Sequence, residues 1–546
     1  MQLPGDSSSL FFIALYAETH FWFFRWFPSF LFAREPEVIF DAPRRLEPGE
    51  DLPVLLIVND LHRFPAELSG CAVAVSRSHA TPKRFDFPSI TEFEVEHPFR
   101  RSMRAFILRI PRAELPSGLF YITCRITVKC GNKRHVVIND NLRTTGKLSF
   151  VCFAADDHLP GSGFCSYGDL HVHSQYSQSH VEFGPPIAVI DSLARASGLS
   201  FAALTDHSYD LACSMDNYLV PDPNLERWKT FQREISEIKR RGVILIPGEE
   251  VSCLNNKKEV VHLCGLGLRE FIPGNLDGAR KNRQRDRQLT VSETVHAIHE
   301  QGGIASAAHP GVKPGFFQRL FLRRGAWSEQ DVQCGIDAMQ ILNNGFTPSW
   351  LNGKSMWINM LQCGYNVLLA AGNDAHGDFN RYRAITIPFL SIGENQGRFM
   401  GYAKTGVYGK RGTVSSLIAG IREGATFITT GPFAAICFSN SCAETAVSRR
   451  PVCGDVRELY IHAISTPEYG PVRTVKVYGC GDGDENLPEK RYFNRCYTEA
   501  PLKVCERIEL SSLPGRPLYI RAEVVCDAPA SHGGKSAAFT SAVFFR

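Results

Sequence analysis

The residues best suited to chemistry lie between positions 171 and 376. The run Gly168-Asp169-Leu170-His171-Val172-His173-Ser174 sets two histidines two apart. In a strand alternate side chains share a face, so both imidazoles point the same way. Two imidazoles side by side at a strand end suit a chelated metal. H-x-H alone is weak, because it arises by chance. Four further sites turn it into a constellation. Thr205-Asp206-His207-Ser208 follows the apolar run FAAL, and Glu249-Glu250 follows VILIPG. His309-Pro310-Gly311 follows IASAA, and Asn373-Asp374-Ala375-His376 follows VLLAAG. His262 lies within a further apolar run, VVHLCGL. Carboxyl ends of strands share one face in β/α folds, and active sites assemble there. Six histidines and two carboxylates can therefore converge although they span roughly 200 residues.

The elements around these residues fall into regions. The chain has 546 residues. At roughly 100–200 residues per domain, that length fits about three or four domains. Residues 35–155 carry short apolar or alternating runs separated by Pro, Gly, Asn and Asp, which predicts a sandwich of about eight strands. Residues 165–432 alternate β-like runs with helical stretches such as LERWKTFQREISEIKRRG and SETVHAIHEQGG. That β/α repeat predicts a parallel sheet or barrel with helices outside. Ser292 reads as a helix N-cap and Gly302-Gly303 as the stop. Residues 433–546 return to β-type runs and predict a second, smaller sandwich. There is no low-complexity tract and no short fixed repeat.

Composition narrows the class. The hydrophobic fraction is 44% and the charged fraction 21%, an ordinary globular balance. Net charge is +4, nearly neutral for this length, which gives no global drive toward nucleic acid. The 17 cysteines contain no C-x-x-C pair, which argues against a zinc ribbon or a thioredoxin-type motif. Their odd, scattered distribution fits reduced thiols in a cytoplasmic protein. Within segment 1–34, residues 10–32 are rich in aromatics but broken by Glu18, Thr19, His20 and Arg25. No apolar run there reaches the 18 or so residues of a spanning helix. The segment reads as an element packed on another domain or subunit, with interfacial membrane contact as the alternative.

Six motifs together resemble a PHP domain, the fold named for polymerase and histidinol phosphatase. They are DLHVHS at 169, LTDHS at 204, PGEEVS at 247, VHLCG at 261, AHPG at 308 and GNDAH at 372. The resemblance implies a distorted (β/α)7 barrel, flanked here by an N-terminal and a C-terminal β-sandwich-like domain. It further implies two or three divalent metal ions at the strand ends. His171, His173, Glu250 and Asp374 would hold one. Glu250 would bridge to a second, completed by His262 and His309, and His207 with His376 would hold a third. Glu250 rather than Glu249 matches the family's G-x-E, with Gly248 setting the register. One position departs from the pattern. Gln178 and Ser179 stand where the family has an acidic residue or a histidine, and His180 or Glu182 could substitute from a shifted loop. The layout and the stretch 406–432 also resemble the CehA/McbA-type metallohydrolases, a group that includes an aryl carbamate hydrolase.

The implied chemistry is hydrolysis of a small-molecule ester by a metal-activated water, whose pKa falls from 15.7 to roughly 7. Mixed imidazole and carboxylate ligands fit Zn, Mn or Fe. Phosphate esters match paired cations best. A carbamate or carboxylic ester is the alternative, and an inactive structural PHP module is the reading from another class. Asp206 is a candidate to orient a ligand histidine. Lys354, Arg381 and Arg383 are candidate anion clamps. His296, His299 and the basic run 279–288 read as solvated surface.

Overall fold

A computed structural model describes residues 35–545, apart from 60, 62–63, 78–80, 88–93, 97–103, 142–147, 178–183, 216–219, 239–241, 275–287, 316–317, 321–322, 344, 378–383, 388–389, 394–397, 440–444, 453–455, 482–487, 514–516 and 530–534. The aromatic run 10–32, the positions Gln178, Ser179, His180 and Glu182, the arginines Arg381 and Arg383, and the basic run up to residue 287 lie outside the described residues. The fold is mixed α/β, mostly strands in several sheets with few helices.

In the N-terminal region a four-stranded and a six-stranded sheet share one core. Strand Gly118–Cys130 shows why. Phe120, Ile122, Cys124, Ile126 and Val128 point inward, while Thr123, Arg125 and Thr127 point away. This period of two buries one face against Val54, Leu56 and Val58 of the facing sheet.

The middle region is a run of seven strands: β1 (Cys165–Val172), β2 (Phe201–Leu204), β3 (Ile244–Leu254), β4 (Val260–Leu266), β5 (Ile304–Ala307), β6 (Ala338–Leu342) and β7 (Leu368–Ala371). They neighbour one another in that order. β1, β2 and β3 are parallel, as are β5, β6 and β7. β4 runs antiparallel to both its neighbours. The uniform parallel repeat expected from sequence is therefore interrupted. The loop 255–259 is too short for a parallel crossover, which needs a dozen or more residues. It folds instead as a tight hairpin with Lys258 at φ 60. β2, β5 and β7 are buried along their whole length, and FAAL, IASA and LLAA are correspondingly apolar or small.

The two ends of this run meet. Asp374 N–H donates to His171 O and His173 N–H to Ala375 O, both at 2.9 Å. The ladder does not close into a barrel among the described residues; contact there is an isolated parallel bridge, Val172 to Ala375. Gly372 permits the approach: a Cβ on it would sit 2.6 Å from the His171 Cβ.

Helices Ile187–Ala196, Glu226–Glu237, Val291–Glu300, Pro348–Gln362 and Val414–Arg422 accompany these strands. The N-cap of Val291–Glu300 is Thr290, not Ser292. Thr290 and Glu293 form a reciprocal capping box, which Ser292 has no partner to match. Gly302 ends that helix region at φ 72.

The C-terminal strands do not stand apart from the middle region. β8 (Lys404–Tyr408) pairs with β1, and β9 (Thr426–Thr429) pairs with β8. Strand Ser536–Thr540 then pairs with β9 and with Pro517–Cys526. One 14-stranded sheet thus crosses the expected boundary at 432/433. The open edge of β9 is covered by this pairing, which removes an exposed row of backbone donors and acceptors. A three-stranded sheet, Phe433–Cys437, Glu458–Ile464 and Lys503–Glu509, shares the same core. Buried Arg45 ties the N-terminal region to this part through Glu468, at 2.9 Å. Among the described residues no helix is long and apolar enough to cross a membrane, and the cysteines form no disulfide.

Candidate metal centre

The sequence-predicted residues arrive at one place by three routes. His171 is the penultimate residue of β1 and His173 follows the strand, so both project to the same side. Glu250 lies inside β3, and the antiparallel return of β4 sets His262 opposite Ser252, two residues on. His207, His309, Asp374 and His376 sit on the turns that follow β2, β5 and β7. Two of these turns are held in a left-handed backbone, His309 at φ 33 and Asp374 at φ 52. Non-glycine residues adopt that region at a cost of order 1–3 kcal/mol, and such strain clusters at functional sites.

The side chains converge closely. His171 Nε2 lies 3.1 Å from His173 Nε2. Asp374 Oδ1 is 3.2 Å from His173 Nε2 and 3.6 Å from His171 Nε2. Glu250 Oε2 is 3.5 Å from both of those nitrogens and 3.3 Å from His207 Nε2. Its other oxygen, Oε1, is 2.6 Å from His262 Nδ1 and 3.2 Å from His309 Nε2. The His173 and His376 rings stack at 4.0 Å. Three overlapping groups have donor atoms near enough to hold a metal ion: His171, His173, Glu250 and Asp374; His207, Glu250 and His262; and His173, His207 and His376. His309 stands beside the second group through Glu250. All eight predicted ligands are thus brought together.

The donor set fits divalent cations. Carboxylate oxygens and imidazole nitrogens face one another in a buried space, and a shared cation would satisfy them together. The electrostatics of the two carboxylates and of His376 agree, and those of His171 favour its protonated form in the ion-free cluster. Burial raises the Glu250 carboxyl, but the imidazoles of His262 and His171 outweigh it and hold the group well below its usual range. Burial also opposes ionisation of Asp374, and Arg398 and His171 reverse that, so it too is an anion. Burial and the neighbouring His173 depress His376, leaving its ring neutral. Burial disfavours the His171 imidazolium, yet Cys264, Glu250 and Asp374 raise its pKa overall.

Glu249 takes no part. It points to the opposite face of β3, accepting from Ser208 Oγ at 3.0 Å and Ile272 N–H at 2.7 Å. Burial pushes its carboxyl up to about 8.

Neighbouring side chains orient the cluster. His173 Nδ1 contacts Ser177 Oγ at 2.9 Å, and His171 Nδ1 contacts Gln340 Oε1 at 2.8 Å. Asp206 does not touch a cluster histidine directly. Its carboxylate accepts from Ser174 N–H, Ser174 Oγ and Ser177 N–H, so it fixes the loop that carries Ser177. Asp210, one helical turn after His207, is the carboxylate near that ring, 3.5 Å from Nδ1. Asp169 accepts from His171 N–H, Asn373 N–H, Asn373 Nδ2 and Gly401 N–H, clasping β1 to the turn after β7.

No family model and no curated protein matches the chain. Among solved structures, a β-glucuronidase from Parabacteroides merdae aligns over 93% of this chain and 64% of its own, with 9% identity and a TM-score of 0.17. A calcium-binding mutant of Bacteroides uniformis β-glucuronidase 2 aligns over 93% and 60%, with 10% identity and a TM-score of 0.20. The chain spans less than two thirds of either protein's length. Likeness at these scores carries no argument about fold or activity.

The other sequence candidates land elsewhere. Lys354 is ion-paired with Glu523 at 2.5 Å, tying helix Pro348–Gln362 to the C-terminal strands. His296 is exposed and faces Glu300. His299 is exposed as well, and its Nε2 meets Asp337 at 2.7 Å. Sequence reading missed Arg398, whose NH2 lies 3.5 Å from Asp374 Oδ2. His309 and Arg398, with side chains 17% and 24% exposed, mark the open edge of an otherwise buried cluster. Arg398 follows a stretch with no motif, so its spacing gave no signal.

Proposed function

We propose that this chain is a metal-dependent phosphoesterase whose seven-stranded core is a distorted PHP-type barrel, its ends meeting only at the Val172–Ala375 bridge among the described residues. One observation carries the reading: His171, His173, Glu250 and Asp374 offer four buried donor atoms within 4.8 Å of one another. Two further groups share members with that set, so two or three ions of Zn, Mn or Fe type can be held side by side. Bound divalent ions supply a water of lowered pKa and neutralise charge that builds on a phosphoryl group.

The protein's own residues set the stage. Glu250 serves two groups at once through its two oxygens. Asp374 faces the histidines with one oxygen and Arg398 with the other. Ser177, on the loop that Asp206 fixes, and Gln340 hold the His173 and His171 rings against rotation. Among the described residues the cluster is buried except near His309 and Arg398. The positive charge of Arg398 at that edge favours an anionic ester over a neutral carbamate.

The test is a paired assay on metal-stripped protein reloaded with Mn or Zn. Hydrolysis of an aryl phosphate that needs the metal and vanishes in His171→Ala supports the proposal. Hydrolysis of an aryl carbamate alone, or of neither ester by metal-loaded protein, overturns it.

A further inference from the structure

Gln340 is the residue that no motif marks and that touches the cluster most directly. It lies on β6, 2% exposed, and its Oε1 is 2.8 Å from His171 Nδ1. The same oxygen accepts the His309 backbone N–H at 3.4 Å. Its Nε2 is buried, with no hydrogen-bond partner among the described residues.

An amide can in principle turn either end toward a histidine. Here the His309 N–H decides. A backbone N–H can only donate, so the amide atom that meets it is the oxygen. Reversal would set two donors against each other. With oxygen facing His171 Nδ1, that nitrogen keeps its proton, and in the neutral ring the lone pair falls on Nε2. Nε2 is the atom directed at Glu250 and Asp374.

We infer that Gln340 is a positioning residue: it locks His171 in the Nδ1–H tautomer and thereby presents Nε2 to a metal, while steadying the left-handed backbone of His309. The inference rests on the metal-binding reading above. It also gives His171 a neutral acceptor, a weaker one than a carboxylate.

The experiment measures Zn affinity of chelator-stripped wild type, Gln340→Leu and Gln340→Glu by competition with a chromophoric chelator. Urea unfolding of each metal-free protein reports packing separately. Loss of the acceptor in Gln340→Leu weakens Zn binding by roughly 10- to 100-fold. Gln340→Glu keeps the acceptor and binds Zn at least as tightly as wild type. Equal affinity in Gln340→Leu and wild type overturns the inference. So does equal weakening in both variants, which marks a packing role. Absence of Zn binding in the wild type overturns instead the reading on which the inference stands.

Discussion

Glu250 and His262 meet across an antiparallel strand pair, carboxylate oxygen to Nδ1 at 2.6 Å. The meeting depends on the reversal of β4. A parallel fourth strand would carry its histidine to the cluster only at its far end. Because the hairpin turns back at once, residues in the interior of β3 and β4 reach the same site as the turns after β2, β5 and β7.

Glu250 is therefore the residue whose loss does most damage. Glu250→Gln removes negative charge shared by two donor groups. It should lower kcat/KM by on the order of 10³-fold, about 4 kcal/mol, and reduce bound metal below wild type. Steady-state kinetics with metal analysis checks both. Unchanged metal content would contradict the shared role.

Metal should also stabilise the fold. Binding to the native state alone adds about 2.7 kcal/mol when free metal is a hundredfold above Kd. Urea midpoints should rise on adding Mn or Zn and fall with a chelator. Identical midpoints would count against a bound ion.

Glu249 gives a pH signature. Its carboxyl moves from 4.5 to about 8 on folding. Between those values the unfolded chain releases the proton and the folded chain keeps it, so stability falls as pH rises through that window. Glu249→Gln removes this titration. In metal-free protein its stability should gain on wild type steadily from pH 5 to 8. Parallel curves for the two proteins would refute the assignment.

Asp169 is predicted to act on the fold rather than on the metal directly. It receives four hydrogen bonds, two from Asn373 that join β1 to the turn after β7, one from Gly401 and one from His171. Asp169→Ala leaves those donors buried and should cost on the order of 3 kcal/mol. Urea unfolding reads this out, and a cost under about 1 kcal/mol would mean the clasp is dispensable.

The eight cluster residues were legible because each follows or interrupts a short apolar run that could only be a buried strand. The reversal of β4 was not, because VVHLCGL reads alike in either direction. The N-cap at Thr290 was legible in principle, since Thr290 and Glu293 have capping-box spacing, but Ser292 lies nearer the apolar pattern. The continuity of the C-terminal strands with β9 depends on pairing across more than 100 residues, which no local pattern encodes. Gln340, Asp210 and Arg398 gain meaning only from what they touch. An isolated amide, a carboxylate on a four-residue helix and an arginine in a loop have no chemistry that spacing reveals.

The most direct test is the metal content of purified protein after dialysis against Zn or Mn. The account predicts at least two equivalents per chain in the wild type and fewer in a His171→Ala/Asp374→Ala double variant. Wild-type protein that retains no transition metal would contradict it.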